Sequence, residues 1–458
     1  MNYVLRMRVG HHRRLAALLR AAMPAESVAF LLCRRAPSAD GVVFLVDEVI
    51  EVEPSAYAAQ AHDIASVTPM VMARVSQQAR AGNRVIVMAH IHPMTASGVE
   101  LSEADHLGNR RSFGFFHRRA DQPEHIALVW NAAVDECAGL VYLKDGRAEE
   151  LNSAVVVDDD RWREFIPGRQ TSRERFARQA MLLGTAGQHL VGAVNLAVIG
   201  LGGTGSLASL ALVHHGARRL ILVDDEFLDE SNLPRVPASA PADVKVRSKV
   251  DLARSYALAH APDIEVTALT QNVEHGSVLP FLLGCDVIVV CTDNTTSRAY
   301  LNQLAQQYLI PLLDLGVQFS IGDAGAVANE IGRINLVRPG TPCLWCSGHI
   351  SSERLAAESV PKAERTLEGS YLRGIDDPQP SMLAFNMEVV GRGMQILLGF
   401  MTGLFRQAPD AYEQRSFLKP RAGAMARQIS KVRQAGCPIC SEVGCGADRG
   451  MAIRQRAA

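Results

Sequence analysis

The hydrophobic positions divide the chain into two blocks with different rhythms. In the first block, up to about residue 155, short apolar runs predict strands. These runs are SVAFLLC, GVVFLVDEVIEV, NRVIVMAH, HIALVW and CAGLVYL. Helical stretches interleave them around residues 69–81 and 102–111, and MNYVLRMRVGHHRRLAALLR predicts a first strand and helix. The pattern indicates an α/β domain with a mixed sheet over residues 1–155.

Residues 156–172 separate the two blocks. This stretch, part of VVVDDDRWREFIPGRQTS, is polar and charged and contains proline and glycine. Such a composition is typical of a linker.

The second block, residues 173–458, alternates strands with helices. NLAVIG, RLILVDD, DVIVVCT and IPLLDLG predict strands, and SLASLALVHHGA predicts a helix after the first of them. Strands that alternate with helices of this length indicate a Rossmann-like, doubly wound parallel sheet. The charged segment SSERLAAESVPKAERTLEGSYLRGIDDPQPS predicts a loop, and a long apolar helix around residues 382–404 precedes a basic tail.

Composition narrows the class of protein. The 458 residues are 48% apolar, and no apolar run approaches the roughly 20 residues of a membrane span. A net charge of −1 argues against a dedicated nucleic-acid or membrane-surface binder. The Arg-rich N-terminus resembles a transit peptide, but no small-residue cleavage site follows it. Without a secretory signal, the nine cysteines favour metal binding over disulfides, and we expect a cytoplasmic protein.

The stretch HIHPMTASGVELSEADH holds the first candidate site. His90 and His92 end a strand, where alternation sends both side chains to one face. Asp105, in the first turn of the next helix, completes three ligands and leaves a fourth position of zinc for water. Zinc-bound water has a pKa of about 7, and Glu26 is the candidate general base. Ser102 is placed to donate a hydrogen bond to a developing oxyanion.

The upstream Glu, H-x-H-P and S-x-x-D, in this order, resemble the JAMM/MPN metalloprotease family over roughly the first 145 residues. The resemblance implies a zinc enzyme that cleaves bonds after the C-terminus of ubiquitin-like proteins. The loop from His92 to Ser102 is about two residues longer than is usual in the family, which a surface loop tolerates. The position of Ser102 is therefore open, and ordinary polar roles for these residues are the alternative.

VNLAVIGLGGTGSLASLAL holds the second candidate site. Gly200, Gly202, Gly203 and Gly205 lie between a strand and a helix, where the backbone can approach a phosphate at the helix N-terminus. Three of these glycines also fit the dinucleotide fingerprint. Asp224, at the end of the next strand, would hold a ribose in either case.

The residues that follow distinguish the two possibilities. Arg235 and Lys249 are cations, Asn232 lies near the first of them, and Asp293 is a carboxylate after a later strand. A hydride-transfer site has no use for two cations and a carboxylate around the phosphates. In nucleotidyl transfer the cations neutralise transition-state charge and the carboxylate holds magnesium.

These positions resemble the ubiquitin-activating superfamily, including the bacterial adenylyltransferases of molybdopterin and thiamine synthesis, over about residues 173–440. The resemblance implies that the glycine loop and Asp224 hold ATP. It further implies that Arg235 and Lys249 contact the phosphates with the help of Asn232, and that Asp293 binds Mg²⁺. A plain Rossmann dehydrogenase is the alternative.

RERFARQ resembles the N-terminal helix of the same superfamily. In that family its last arginine, here Arg178, reaches the ATP site of the partner subunit, which implies a homodimer. Val236 stands where the family usually has glutamine after the arginine of N-L-x-R.

Two C-x-x-C pairs supply Cys343, Cys346, Cys437 and Cys440. Four thiolates form a closed, structural zinc site, and the bacterial superfamily members have the same pairs. Thioester-forming or persulfide-forming members also have a reactive cysteine after the first pair, but here the sequence has none between the two pairs. Cys445 is the one remaining cysteine of the tail that could replace the reactive cysteine. The alternative interpretation is that Cys445 has no special role or is an alternative zinc ligand.

Together the motifs predict a bifunctional enzyme that acts on the C-terminus of a ubiquitin-like or sulfur-carrier protein. A catalytic zinc site would trim or deconjugate it, and an ATP- and Mg²⁺-dependent site would adenylate the exposed carboxylate. A conjugating-type cysteine protein is a further possible partner; nucleic acid and membrane are not expected. The alternative is a sulfur-transfer adenylyltransferase of a cofactor or natural-product pathway, with an attached protease and no conjugation. In a third hypothesis one half is a binding module with degenerate chemistry.

Overall fold

The computed structural model describes residues 1–157, 162–166, 174–321, 327–360, 380–404, 411–416, 424–428, 432–441 and 443–448. The chain divides into two compact units. The first unit is Met1–Arg169 together with Gly444–Arg449, and the second is Gln170–Val443 with Gly450–Ala458. A short part of the predicted C-terminal tail therefore belongs to the first unit, where Asp448 accepts hydrogen bonds from Arg34 and Arg84 at 2.7 and 2.8 Å.

A mixed sheet forms the centre of the first unit. Its elements are β1 Asn2–Arg8, α1 Val9–Arg20, β2 Val28–Pro37, β3 Gly41–Ile50, β4 Tyr57–Ala61, β5 Ile64–Val67, α2 Pro69–Ala81, β6 Val85–Ile91, α3 Glu103–Ala120, β7 Glu124–Trp130, β8 Cys137–Leu143, β9 Ala148–Glu150, β10 Ser153–Val157 and β11 Trp162–Glu164. Nine described strands pair in the order β11-β10-β1-β3-β2-β6-β7-β8-β9, and β4 with β5 forms a separate hairpin.

Alternation along the strands gives this sheet two apolar faces. On β6, Val85, Val87 and Ala89 pack in one cluster with residues of α1. Ile86 packs on the other face, in a cluster with residues of α2 and α3. Because the side-chain period of a strand is two, the even-numbered His90 lies on the face covered by α3.

The predicted linker is partly a strand pair of this sheet. Val155–Val157 belong to β10, which runs parallel to β1, and β11 pairs antiparallel with β10. Trp162 is 4% exposed. The sequence did not predict these strands, because a charged run separates them. The apolar triplet on one side and the three-residue strand on the other are each too short for a period of two to be detected.

The second unit has a doubly wound sheet, and the prediction of a Rossmann-like α/β fold is confirmed. Its elements are α4 Ala177–Ala193, β12 Asn195–Ile199, α5 Gly203–His215, β13 Arg219–Val223, α6 Lys249–His260, β14 Glu265–Leu269, α7 Leu279–Leu283, β15 Val287–Val290, α8 Thr295–Gln307, β16 Leu312–Ile321, β17 Val327–Val337, α9 Ser352–Ser359, α10 Leu383–Thr402, β18 Ala411–Ser416 and β19 Ala424–Gln428.

The strands of this sheet are ordered β14-β13-β12-β15-β16-β17-β18-β19. The first five are parallel and the last three join antiparallel. The strand order changes direction between β12 and β15, and ligands of such sheets bind at the carboxyl edge beside this switch point.

The predicted loop after the first cysteine pair begins with a helix. Ser351 caps α9 by accepting a hydrogen bond from the backbone of Arg354 at 3.2 Å. The helix has only eight residues, fewer than the window over which hydrophobic periodicity is detected. The rest of that predicted loop, residues 361–379, lies outside the described residues. Among the described helices, none combines the length and hydrophobicity that a membrane crossing requires.

Candidate functional site

The glycine loop joins β12 to α5 at the carboxyl edge of the second sheet. Gly200 has a φ of +82°, and a Cβ on Gly205 would stand 1.7 Å from the carbonyl oxygen of Gly200. A Cβ on Gly203 would stand 2.4 Å from Nδ2 of Asn386. At Gly202, by contrast, a Cβ would meet no atom within 4 Å. The loop thus packs tightly against the protein at Gly203 and Gly205, and there is free space beside Gly202. This space lies at the N-terminus of α5, where a phosphate could bind.

Asp224 connects β13 to this loop. Its carboxylate accepts hydrogen bonds from the backbone of Leu201 at 2.5 Å and of Glu226 at 2.9 Å. Burial raises the pKa of Asp224, against the opposing effect of Lys249. Asp224, which is predicted to bind the ribose, therefore also orients the start of the glycine loop at Leu201.

Two cations line the same edge. Lys249 is the first residue of α6, is 6% exposed, and forms an ion pair with the exposed Glu226. The Cδ of Arg235 lies 3.2 Å from where a Cβ of Gly203 would be, so its aliphatic stem packs on the glycine loop. Asn232 is buried, and its amide oxygen accepts a hydrogen bond from the backbone of Asp229 at 3.1 Å. That contact stabilises the turn that leads to Arg235.

Asp293 is exposed in the turn between β15 and α8. A Cβ at Gly200 would stand 3.0 Å from the backbone of Cys291 and Thr292, so this turn packs directly on the glycine loop. Sequence reasoning missed Asn386, which contacts the other side of the loop from α10. An asparagine in the largely apolar run LAFNMEVV is the sequence signal that could have indicated it.

Arg178 is exposed in the first turn of α4. Its neighbours are anchored: Arg175 donates to the carbonyl of His260 at 3.1 Å, and Gln179 to the carbonyl of His214 at 2.8 Å. The helix is interrupted at Gly184, which has φ 72° and ψ 165°. Arg178 makes no contact with the glycine loop of its own chain in the described structure, and its action at the ATP site of a partner subunit stays a prediction.

The four predicted zinc cysteines converge in the second unit. The Sγ atoms of Cys343 and Cys346 are 3.9 Å apart, those of Cys343 and Cys437 3.7 Å, and those of Cys346 and Cys440 3.5 Å. Tetrahedral zinc with bonds of about 2.3 Å requires sulfur separations of about 3.8 Å. The backbone of Gln434 also donates to the Sγ of Cys346 at 3.3 Å. The cluster therefore fits a structural zinc ion, and Cys445 is not part of it.

His90, His92 and Asp105 converge in the first unit. Nε2 of His90 lies 3.2 Å from Nε2 of His92, and Asp105 oxygens lie 3.1 and 3.3 Å from the two nitrogens. Zinc bonds of about 2.0–2.1 Å require separations near 3.3 Å between tetrahedral ligand atoms. The backbone of His92 donates to the carbonyl of Trp130 at 2.8 Å, so the extended path continues past β6 and keeps both histidines on one side.

The hydroxyl of Ser102 forms two hydrogen bonds with Asp105. Ser102 is the N-cap of α3, and its Oγ accepts from the backbone of Asp105 at 3.1 Å and donates to its carboxylate at 2.7 Å. The predicted oxyanion role remains untested; the observed hydrogen bonds orient the carboxylate of Asp105, which is a predicted metal ligand. Glu26 is 8% exposed, and its carboxylate lies 3.9 Å from Nε2 of His92. Burial raises the pKa of Glu26, which is the direction expected of the predicted general base.

We expect the purified chain to bind about two zinc ions, one at each cluster. The double variant His90→Ala/His92→Ala should retain only the cysteine-bound ion, and Cys437→Ser/Cys440→Ser only the other. Elemental mass spectrometry against protein concentration measures both. His62→Ala removes a histidine that is 71% exposed and should leave the count unchanged. Unchanged zinc in the double histidine variant would contradict the first assignment.

Comparison with known proteins places part of the chain in a described family. A family model for the ThiF family matches residues 176–432, more than half of the chain. The match begins after the predicted metal ligands of the first unit, His90, His92 and Asp105.

Individual relatives cover a smaller part. The chain is 28% identical over 178 residues to the SAMP-activating enzyme E1 of Haloferax volcanii, which covers 38% of this chain and 62% of that protein. It is 31% identical over 141 residues to the sulfur carrier protein ThiS adenylyltransferase of Escherichia coli, covering 30% and 56%. The chain thus spans less than two thirds of either curated relative. The solved structure of E. coli MccB with MccA aligns at 16% identity and a TM-score of 0.46, covering 60% of this chain and 76% of that one.

Proposed function

Because the chain belongs to the ThiF family, we propose that its second unit adenylates the C-terminal carboxylate of a small ubiquitin-like or sulfur-carrier protein. The observation that carries this proposal is the glycine loop between β12 and α5 with Arg235 and Lys249 beside it. Both curated relatives are activating enzymes or adenylyltransferases by name.

The reaction needs one bond made and one broken. A carboxylate oxygen of the carrier attacks the α-phosphorus of ATP, the bond to the bridging oxygen breaks, and pyrophosphate leaves. Backbone N–H groups at the start of α5 orient the phosphates. Lys249 and Arg235 neutralise negative charge as it builds on them. Asp293 would hold Mg²⁺, which supplies further charge neutralisation when bound.

Sulfur transfer is the better-supported pathway for the adenylate. One relative acts on a sulfur-carrier protein by name, and the sequence lacks a cysteine between Cys346 and Cys437. We propose that the adenylate is attacked by a nucleophile of a second molecule, such as a sulfur donor. Transfer to a conjugating-type cysteine protein is the second possibility.

The His90, His92 and Asp105 cluster supports a second function, in the first unit. We propose a zinc-dependent amide hydrolase in which Glu26 takes a proton from water and passes it to the leaving amine. Zinc bound there would polarise the scissile carbonyl. This reaction would expose the carrier carboxylate by trimming a precursor, or release a carrier from a conjugate.

The test of the adenylation proposal is ATP–pyrophosphate exchange. The protein is incubated with labelled pyrophosphate, ATP, Mg²⁺ and a panel of sulfur-carrier proteins that end in a free carboxylate. Exchange should require the carrier and should be absent when the same carrier has an amidated C-terminus. Equal exchange with the amidated carrier would overturn the proposal.

The homodimer predicted from Arg178 has a simple mixing test. Arg178→Ala and Asp293→Ala should each be inactive alone. If Arg178 acts on the partner's site, mixed dimers regain one intact site, and exchange activity should return towards about a quarter of wild type at random pairing. Activity that stays at the level of the single variants would contradict action between subunits.

A further inference from the structure

Glu358, in the last turn of α9, forms a polar contact with the beginning of α8. Its Oε1 accepts a hydrogen bond from the backbone of Thr295 at 2.8 Å. Its Oε2 accepts from the backbone and the hydroxyl of Thr296 at 2.8 and 2.7 Å. Burial raises the pKa of Glu358, but these hydrogen bonds outweigh it and leave the pKa below its ordinary value. An ionised carboxylate thus lies at the positive end of α8.

The turn that Glu358 holds is the one that carries Asp293. Asn294 caps α8 by accepting from the backbone of Ser297 at 2.7 Å. With Thr295 and Thr296 bonded to Glu358, the first three N–H groups of α8 all have side-chain partners. The free N–H groups at a helix start need such partners, and their loss loosens the first turn. The two caps together therefore fix the turn that presents Asp293.

The same turn packs against the phosphate cradle. The backbone of Cys291 and Thr292 lies 3.0 Å from the position of a Cβ at Gly200. The turn is held at one end by the glycine loop and at the other by Glu358, and these contacts restrict the position of Asp293 relative to the glycine loop. Glu358 is more than 60 residues from this turn along the chain, so local sequence patterns do not predict the contact.

We propose that Glu358 is a positioning residue for magnesium binding by Asp293. The inference rests on the proposed adenylation function and adds a residue outside the motifs of that site. In this chain, the segment after the first cysteine pair contributes an anchoring carboxylate to the nucleotide site.

The experiment measures ATP affinity by calorimetry with Mg²⁺ and with EDTA, without any carrier. For the wild-type protein, Mg²⁺ should tighten ATP binding. Glu358→Ala should lose roughly five- to tenfold of this enhancement, because losing a cap loosens the first turn of α8 and with it the position of Asp293, while binding in EDTA stays within about twofold. Glu358→Gln should be intermediate, because its amide oxygen accepts one of the two backbone hydrogen bonds.

A double-variant cycle separates positioning from general damage. Asp293→Asn should lose the enhancement, and adding Glu358→Ala to it should cause no further loss, because coupled residues are non-additive. Glu353→Ala, an exposed carboxylate on the same helix, is the matched control and should match wild type. Three results would each overturn this inference but leave the proposed function standing: additive losses in the double variant, an unchanged Mg²⁺ enhancement in Glu358→Ala, or ATP binding that is weakened equally with Mg²⁺ and with EDTA. A wild-type protein that binds no ATP would overturn the proposed function as well.

Discussion

Replacing Lys249 by methionine is expected to lower carrier-dependent ATP–pyrophosphate exchange by about 10²–10³-fold, the effect of removing one transition-state contact. The side chain of Lys249 is 6% exposed at the first position of α6 and forms an ion pair with the exposed carboxylate of Glu226. A cation at a helix N-terminus opposes the helix dipole. A buried charge in an unfavourable place is typical of a functional residue. Methionine has a similar length, so the packing of the site should survive.

Lys245→Met is the matched control for this loss of charge. Lys245 is exposed four residues earlier, and we expect its variant to stay within about twofold of wild type, as surface substitutions usually do. Circular dichroism spectra and thermal midpoints of both variants should match the parent. Equal exchange rates in the two variants would remove Lys249 from the catalytic machinery.

Replacing Glu26 by glutamine is expected to slow hydrolysis of a C-terminally extended carrier by about 10²–10⁴-fold, the contribution of a general base. Glu26 is beside the predicted ligands but is not part of the cluster that His90, His92 and Asp105 form. Its carboxylate lies 3.9 Å from Nε2 of His92, beyond the separation of about 3.3 Å between nitrogen or oxygen ligands of tetrahedral zinc. Zinc content should therefore remain at the wild-type value. Exchange activity of the second unit on a mature carrier should also be unchanged.

Glu53→Gln, on the exposed surface of the same unit, controls for loss of a carboxylate. It should hydrolyse the extended carrier at the wild-type rate. If Glu26→Gln cleaves as fast as this control, water is activated by another group. If Glu26→Gln instead loses zinc, Glu26 is a ligand and the assignment of roles is wrong.

The sequence predicted the elements whose periodicity is long and uninterrupted. The helix at residues 69–81 and the strand CAGLVYL have the bounds of α2 and β8. Short elements whose secondary structure depends on tertiary contacts were not predicted. The hairpin of β4 and β5 is largely exposed, and β11 has three residues whose place depends on Trp162 in the core. Neither gives a hydrophobic period that a single sequence reveals.

Candidate site residues were predictable where a motif links chemistry to neighbouring positions. The spacing of His90 and His92 and the glycine loop are local patterns, and the structure brings each set together. The supporting contacts were not predictable, because they join distant segments. Glu358 contacts Thr295 across 63 residues of sequence, and Asn386 lies beside Gly203 from a distant helix. The capping role of Ser102 was readable from S-x-x-D, since an acidic residue three positions after a serine forms a capping box.

Intact-mass spectrometry of a sulfur-carrier protein tests the central claim most directly. The mature carrier and a version with a short C-terminal extension are each incubated with the wild-type protein, Zn²⁺, Mg²⁺ and ATP. We expect the mature carrier to gain the mass of an adenylate, and the extended carrier to be shortened before it gains the same mass. Carriers that acquire no adenylate, although the protein binds ATP with Mg²⁺, would contradict the account.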